Sequence, residues 1–248
     1  MIEIFYEVLN KTLIFASIIT FISAILQGYS GFGGGLLMVP LLAILFNPIE
    51  GIAIAALAGL IGSAILMPGA ITKINWKETG PVSIGMSLAI PIGIIFLTAA
   101  DPTLIRTGMG LFILAAGILM LFGWAYTGPR NLFISYIAGT LAGMVTGGFG
   151  VPGGPFIVAY LISSKFKPET QRANIIFTIG IGMCFLVGGL VASGSYSEYT
   201  VLRSIILIPA LIIGNILGKK LFNVAPLSWF NKVTNSLLIV LGIIILII

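Results

Sequence analysis

The chain has 248 residues, of which 58% are apolar and only 8% charged, with a mean hydropathy of +1.18 and a formal net charge of +5. Soluble domains carry about 25% charged residues, so this composition excludes a soluble enzyme or nucleic-acid-binding domain and marks residues 1–248 as one integral membrane domain whose first partner is the lipid bilayer. There is no histidine, the commonest general base and metal ligand, and no metal, cofactor or catalytic residue is expected.

The N-terminal stretch places Glu3 and Glu7 ahead of Lys11, unlike the basic n-region of a cleaved signal peptide. A long apolar segment, about 12–46, is then interrupted by Gly28-Tyr29-Ser30-Gly31-Phe32-Gly33-Gly34-Gly35. Apolar runs near 51–71, 80–100 and 105–126 each predict a membrane span. A second interrupted segment, about 132–164, breaks at Gly147-Gly148-Phe149-Gly150-Val151-Pro152-Gly153-Gly154-Pro155. Runs near 172–194, 200–222 and 229–248 complete the chain. Cys184 lies within one of them and reads as a small buried packing residue. Pro68, Pro91 and Pro209 mark positions where a helix can kink.

The two halves match at an offset of 120 residues, which aligns Gly33-Gly34 with Gly153-Gly154 and Asn47-Pro48 with Lys167-Pro168. Asp101-Pro102 falls opposite Ala225-Pro226 with a small shift. The expected fold is therefore an all-α polytopic membrane protein of two repeats, about 12–126 and 132–248, each a broken or re-entrant helical hairpin followed by three spans.

A straight helix over 12–46 would be roughly 50 Å long, far more than a bilayer core needs. If each broken segment enters and returns on one side, one set of loops holds Lys73, Lys77, Arg130, Lys165, Lys167, Arg172, Lys219, Lys220 and Lys232, nine of the 12 basic residues. The other set holds Lys11, Arg106 and Arg203. If each segment crosses once, the split is five against seven. Cytoplasmic loops carry the Lys/Arg excess, so hairpins are favoured. The second half is then inverted, the glycine tips meet near the midplane, and both termini lie outside the cytoplasm.

After each glycine cluster a short helix is expected to begin, near Leu36 and near Phe156. Its first backbone N–H groups lack intrahelical acceptors and lie at the positive end of the helix dipole. Glycine lets a ligand approach them, which makes an anion site without a formal charge. The candidate binding residues are Gln27, Tyr29, Ser30, Gly31, Phe32, Gly33, Gly34 and Gly35 at the first break, and Thr146, Gly148, Phe149, Gly150, Val151, Pro152, Gly153 and Gly154 at the second. Asn174 and Thr178, four apart on one helical face, join them; Asn174 serves either binding or a structural hydrogen bond. Tyr160 and Arg172 are further candidates, Arg172 being read first as a positive-inside anchor. Tyr29, Phe32 and Phe149 either gate the site or pack. Gly139-xxx-Gly143-xxx-Gly147 and Gly214-xxx-Gly218 read as helix-packing devices.

Gly31-Phe32-Gly33-Gly34-Gly35 followed by Val39-Pro40-Leu41, recurring as Gly150–Pro155 with Tyr160-Leu161 and Arg172-Ala173-Asn174, resembles the sulfite exporter TauE/SafE family of membrane transporters. The likeness extends over essentially the whole chain, including the stretch from Pro102 to Gly117 with Arg106. Many members carry a Thr-Ser pair early in the helix after each break; here those places hold Ala56-Leu57 and Ile176-Phe177. The resemblance implies a multi-pass carrier, in a prokaryotic plasma membrane, for sulfite, organosulfonates or related small anions.

The seven acidic residues lie at or near loops, whereas proton-coupled carriers keep an ionisable group in the membrane. Transport driven by the substrate's own gradient, by the membrane potential or by a substrate-borne proton is expected, with sodium coupling through carbonyls as the other route. An anion channel lined by the same breaks is the alternative to a carrier.

Overall fold

The computed structural model describes residues 10–222, 224 and 227–247. Glu3, Glu7, Ala225, Pro226 and both chain ends lie outside the described residues, so the expectations that rest on them are not addressed. Among the described residues the regular elements are helices: α1 Lys11–Ser30, α2 Gly34–Leu45, α3 Pro48–Ala70, α4 Trp76–Ala99, α5 Pro102–Leu121, α6 Leu132–Phe149, α7 Gly154–Ile162, α8 Pro168–Ala192, α9 Glu198–Leu221 and α10 Leu227–Ile247, with a 3-10 turn at Ile71–Lys73. Seven of them, α1, α3–α6, α8 and α9, are long and apolar enough to cross a bilayer. The protein is an all-helical multi-pass membrane protein.

The spans after each break begin two to four residues before the apolar runs do, because several open on a polar cap or a first-turn proline rather than on apolar sequence. Asn47, Asn75 and Asn131 accept from the N–H groups of Glu50, Glu78 and Ile134 at 2.9, 3.2 and 2.9 Å, and Asp101 accepts from Thr103 at 2.7 Å. Each bond satisfies one of the donors a helix start leaves over, typically about 1 kcal/mol. Pro48, Pro102 and Pro168 occupy the first turn, where a missing N–H costs nothing. Helices α3, α4 and α9 continue through Pro68, Pro91 and Pro209.

The helices pair across the halves: α4 with α6, α1 with α9, α3 with α8 and α5 with α10. Glycines make the first two pairs close. Gly139, Gly143 and Gly147 lie against the carbonyls of Val82, Met86 and Ile90, and Gly214 and Gly218 against those of Phe21 and Ile25. A Cβ at any of them would strike backbone, which cannot swing aside as a side chain can. These spacings are packing devices, as expected. Both series rise together in number, so α4 runs parallel to α6 and α1 parallel to α9.

The ends of the broken segments are tied by arginines. Arg203, in the second turn of α9, pairs with Glu50 at the start of α3 and lies 4.6 Å from the Phe46 ring centroid. The chain leaving α2 therefore returns to the end of the bundle where α9, and with it α1, begins. Arg130 pairs with Glu78 in the first turn of α4, donates to the Tyr160 carbonyl and lies 4.6 Å over the Tyr160 ring. The chain leaving α7 thus returns to the end where α4 and α6 begin. Each broken segment starts and finishes at one end of the bundle.

The outward faces carry exposed Ile14, Phe15 and Ile18 on α1 and Leu88, Ile92 and Ile95 on α4, the surface a bilayer covers. Exposed Trp76, Trp124 and Tyr199 sit at helix ends, where amphipathic rings meet lipid headgroups. Cys184 corrects one expectation: it is exposed, not buried. The buried stripe of α8 runs through Ile179, Met183, Leu186 and Leu190, and residue 184 stands about 100° past Met183 on the helix.

Candidate functional site

The first break opens where α1 ends at Ser30. Gly31 adopts φ +82° and donates its N–H to the Gln27 carbonyl at 2.8 Å, and Gly33 adopts φ +86° ahead of α2. The second opens where α6 ends at Phe149, with Gly150 at φ +66°. These are left-handed conformations that an L side chain strains. The short helices begin at Gly34 and Gly154, two residues before the expected starts near Leu36 and Phe156, since a first turn tolerates glycine and proline where a helix interior does not.

The two breaks touch. Gly35 lies so close to the Pro152 ring that an added Cβ would press into Cγ and sit 3.0 Å from Cδ. Around this contact is a cavity of about 10 Å³, room for roughly one water. Of the expected residues, Gln27, Phe32, Gly33, Gly35, Gly150 and Pro152 line it. Val39, Ala55, Ala56, Gly59, Ile179 and Met183 complete the wall. Helix α8 contributes Ile179 and Met183 rather than the expected Asn174 and Thr178, and α3 adds Ala55, Ala56 and Gly59, outside the expected set, although Gly59 and Ile179 are related by the same 120-residue offset as the glycine clusters.

Gln27 supplies the polar side chain of this wall. It is 4% exposed, and its Nε2 donates to the Gly59 carbonyl at 3.3 Å. The backbone donors of the two breaks are unequal. The ladder of α2 begins with Leu37 N–H donating to Gly33 O at 3.3 Å, so the N–H groups of Gly34, Gly35 and Leu36 precede it. In α7 the Gly153 N–H is taken by the Thr146 hydroxyl at 2.8 Å, Pro155 has no N–H, and Phe156 N–H donates to Gly153 O at 3.1 Å.

The other expected residues stand around the junction. Thr146 is buried, donates to Ala142 O at 2.8 Å and accepts from Gly153, so both its hydroxyl functions are occupied within the second hairpin. Gly34 packs back on α1 against Ser23 O and Gln27 Cβ, and Gly31 against Ile176. Gly148 and Phe149 face α4, the Phe149 ring meeting Phe96 edge-on at 5.8 Å, and Val151 is fully buried. Tyr29 is buried with its ring 5.7 Å from Phe222. Tyr160 bonds Ser135 at 2.7 Å at the root of the second hairpin. Asn174 accepts from the Asn75 N–H at 2.8 Å, and Thr178 accepts from Ser83 at 3.3 Å; neither lines the cavity.

Phe32 also borders a second, larger cavity of about 230 Å³, shared with Ser30, Trp124, Arg172, Phe222 and Asn235. Arg172 donates through Nε to Tyr29 O at 3.2 Å and through a terminal nitrogen to Gly28 O at 2.7 Å, with its guanidinium 4.4 Å from the Phe222 centroid. Near the opposite end of α8, the Tyr196 hydroxyl donates to Ala53 O at 2.9 Å, and burial pushes its pKa up to about 12.

The sequence profile described as "Sulfite exporter TauE/SafE" matches residues 16–245. The chain belongs to this family. Family membership makes it a membrane transporter. It is 24% identical over 203 residues, 78% of each chain, to a protein of Cupriavidus necator named "Probable sulfite/organosulfonate exporter TauE". It is 27% identical over 190 residues, 71% of this chain and 70% of the other, to "Probable membrane transporter protein MJ0441" of Methanocaldococcus jannaschii. No solved structure matches the chain significantly. As a TauE/SafE member, the protein places both copies of its glycine motif at one junction.

Proposed function

We propose that the protein is a secondary carrier, in a prokaryotic plasma membrane, of a small sulfur-containing anion such as sulfite or an organosulfonate. The observation that carries this reading is the contact of the two breaks around one small cavity, whose wall holds Gly33 and Gly35 of the first break, Gly150 and Pro152 of the second, and the buried Gln27 amide. An oxyanion accepts several hydrogen bonds at once, and a helix N-terminus favours negative charge. The unequal donor sets make the first break the chief anion holder and the second break the opposing wall. The C. necator relative's printed name supports the substrate class.

The end contacts support an inverted arrangement. Hairpin α1–α2 is rooted where α9 begins, and hairpin α6–α7 where α4 begins and α8 follows. Helix α8, 25 residues long, separates those two ends by about 37 Å at 1.5 Å per residue. The hairpins then enter from opposite faces, with the nine-residue basic set in the cytoplasm and both termini outside. A cavity of one water's size closes the path at the junction, which favours a carrier with alternating access over an open anion channel.

The test is flux in proteoliposomes. Sulfite counterflow that saturates, and that persists without a pH or sodium gradient, is expected; non-saturating flux would favour a channel, and strict dependence on either cation gradient would overturn the coupling. For orientation, single cysteines at Thr127 and Ser195 in a Cys184→Ala background are expected to react from the cytoplasmic and outer faces respectively. The reverse labelling, or labelling of both from one face, would overturn the topology.

A further inference from the structure

We propose that the larger cavity is a second anion site, a staging site in which Arg172 and Asn235 hold a sulfur oxyanion before it passes Phe32 to the junction. It rests on the reading that the protein carries such an anion.

Three observations converge on this cavity. The first is an uncancelled cation. Among the described residues the ion pairs are Arg130 with Glu78 and Arg203 with Glu50, so Arg172 meets no carboxylate. Its hydrogen bonds go to the Gly28 and Tyr29 carbonyls, which belong to the last turn of α1, the negative end of that helix's dipole. By covering those carbonyls Arg172 offsets the negative end of α1 with a positive charge in the wall of the larger cavity.

The second observation is Asn235. It is 4% exposed, lines the same cavity, and its Oδ1 has no hydrogen-bond partner. An unmade hydrogen bond at a buried amide is costly, and a ligand removes that cost. The amide meets a protonated oxyanion such as hydrogen sulfite through Oδ1. Turned over, it offers its NH2 to the unprotonated form, since the two orientations have nearly the same shape. Neighbouring Gln171 adds no donor, because its Nε2 is bonded to Ile162 O at 2.9 Å and Ser164 O at 2.8 Å.

The third observation is size and position. About 230 Å³ against about 10 Å³ at the junction means that an anion with some of its water, or a short organosulfonate, fits here before it fits there. Phe32 is common to both walls, so passage between the two sites requires its ring to move. The staging site would serve only the membrane face onto which this cavity opens.

The test measures sulfite flux in proteoliposomes from each face separately, for wild type, Asn235→Asp and Asn235→Leu. Asn235→Asp sets a carboxylate in the wall of the cavity that Arg172 also lines and is expected to raise KM for entry at the cavity's face by about tenfold, the factor one hydrogen bond to a charged ligand carries. Asn235→Leu is expected to act in the same direction, with KM at the other face unchanged for both. A measurement on the unaltered site uses Trp124, which lines the cavity. Iodide should quench the part of the emission lost in Trp124→Phe, and sulfite should suppress that quenching saturably. Wild-type sulfite flux with unchanged KM in the variants, or quenching indifferent to sulfite, would overturn the staging site alone. No sulfite flux in wild type would overturn the carrier reading and the staging site with it.

Discussion

Replacing Gly35 with alanine probes the contact on which the central site depends. An alanine Cβ would press into Pro152 Cγ and lie 3.0 Å from Cδ, while the ring Cβ is 3.7 Å away, an ordinary van der Waals distance. Relieving the overlap means moving a proline ring or separating the two breaks, and overpacking of this kind costs about 1–3 kcal/mol. Only part of the roughly 1 kcal/mol that alanine gains over glycine in a helix is recovered, because Gly35 lies in the first turn. A net loss of about 1–2 kcal/mol corresponds to roughly 2–8 °C in the thermal midpoint for a chain of this size. Pro152→Ala removes Cγ and Cδ, the two atoms in conflict. In that background Gly35→Ala should cost close to nothing, a coupling of about 1–2 kcal/mol between the sites. Thermal unfolding of the four proteins in detergent measures it, with sulfite counterflow as the functional readout. Additivity within about 0.5 kcal/mol would show that the breaks do not touch, and the single central site would fall with that contact.

Gln27→Leu keeps the bulk of the side chain and removes the amide from the cavity wall, so sulfite counterflow should fall about tenfold with the midpoint little changed; full activity would remove Gln27 from the site. Thr146→Val deprives the buried Gly153 N–H of its acceptor and should destabilise the protein by about 1–3 kcal/mol, while Thr146→Ser should restore it; hydrogen exchange at residues 150–157 localises the effect. Asp101 is held below the ordinary carboxylate range, first by the Thr103 N–H, then by the Thr103 side chain, against a smaller opposing effect of desolvation. Because its folded pKa is depressed, its contribution to stability is present above the unfolded pKa and is lost as pH falls through the folded one. The substitution Asp101→Asn should therefore lower the midpoint at neutral pH, and the difference should shrink on acidification below the carboxylate range; a constant difference would rule out the charge as its source.

Much of this architecture is written locally. Three glycines in a row at 33–35 and the cluster of five glycines and a proline over 147–154 are costly as continuous helix interior, so both breaks are legible from backbone cost. The repeated spacing at Gly139, Gly143 and Gly147 marks a close helix contact whatever the partner. Asn47, Asn75, Asn131 and Asp101 define where helices start; reading spans from apolar runs alone places the start at Leu132 correctly but those at Pro48, Trp76 and Pro102 three to four residues late.

What the chain withholds is the pairing. Periodicity shows that a helix has a face but not what the face meets, so Cys184 can be told from Met183 only when α8 is set against α3. The same limit hides Ala55, Gly59, Ile179 and Met183, apolar residues without a chemical signature that become cavity wall because α3 and α8 pack as a pair at the breaks. It hides the inequality of the two breaks, which depends on Thr146 reaching the Gly153 N–H. It also hides that Arg172 and Asn235, 63 positions apart in the chain, line one cavity. All-helical spans and two glycine breaks could be read along the chain, because solvation and backbone conformation act residue by residue. Which donors face the junction, and which charge faces the larger cavity, emerged only once the helices were packed, because those contacts join residues that no local pattern connects.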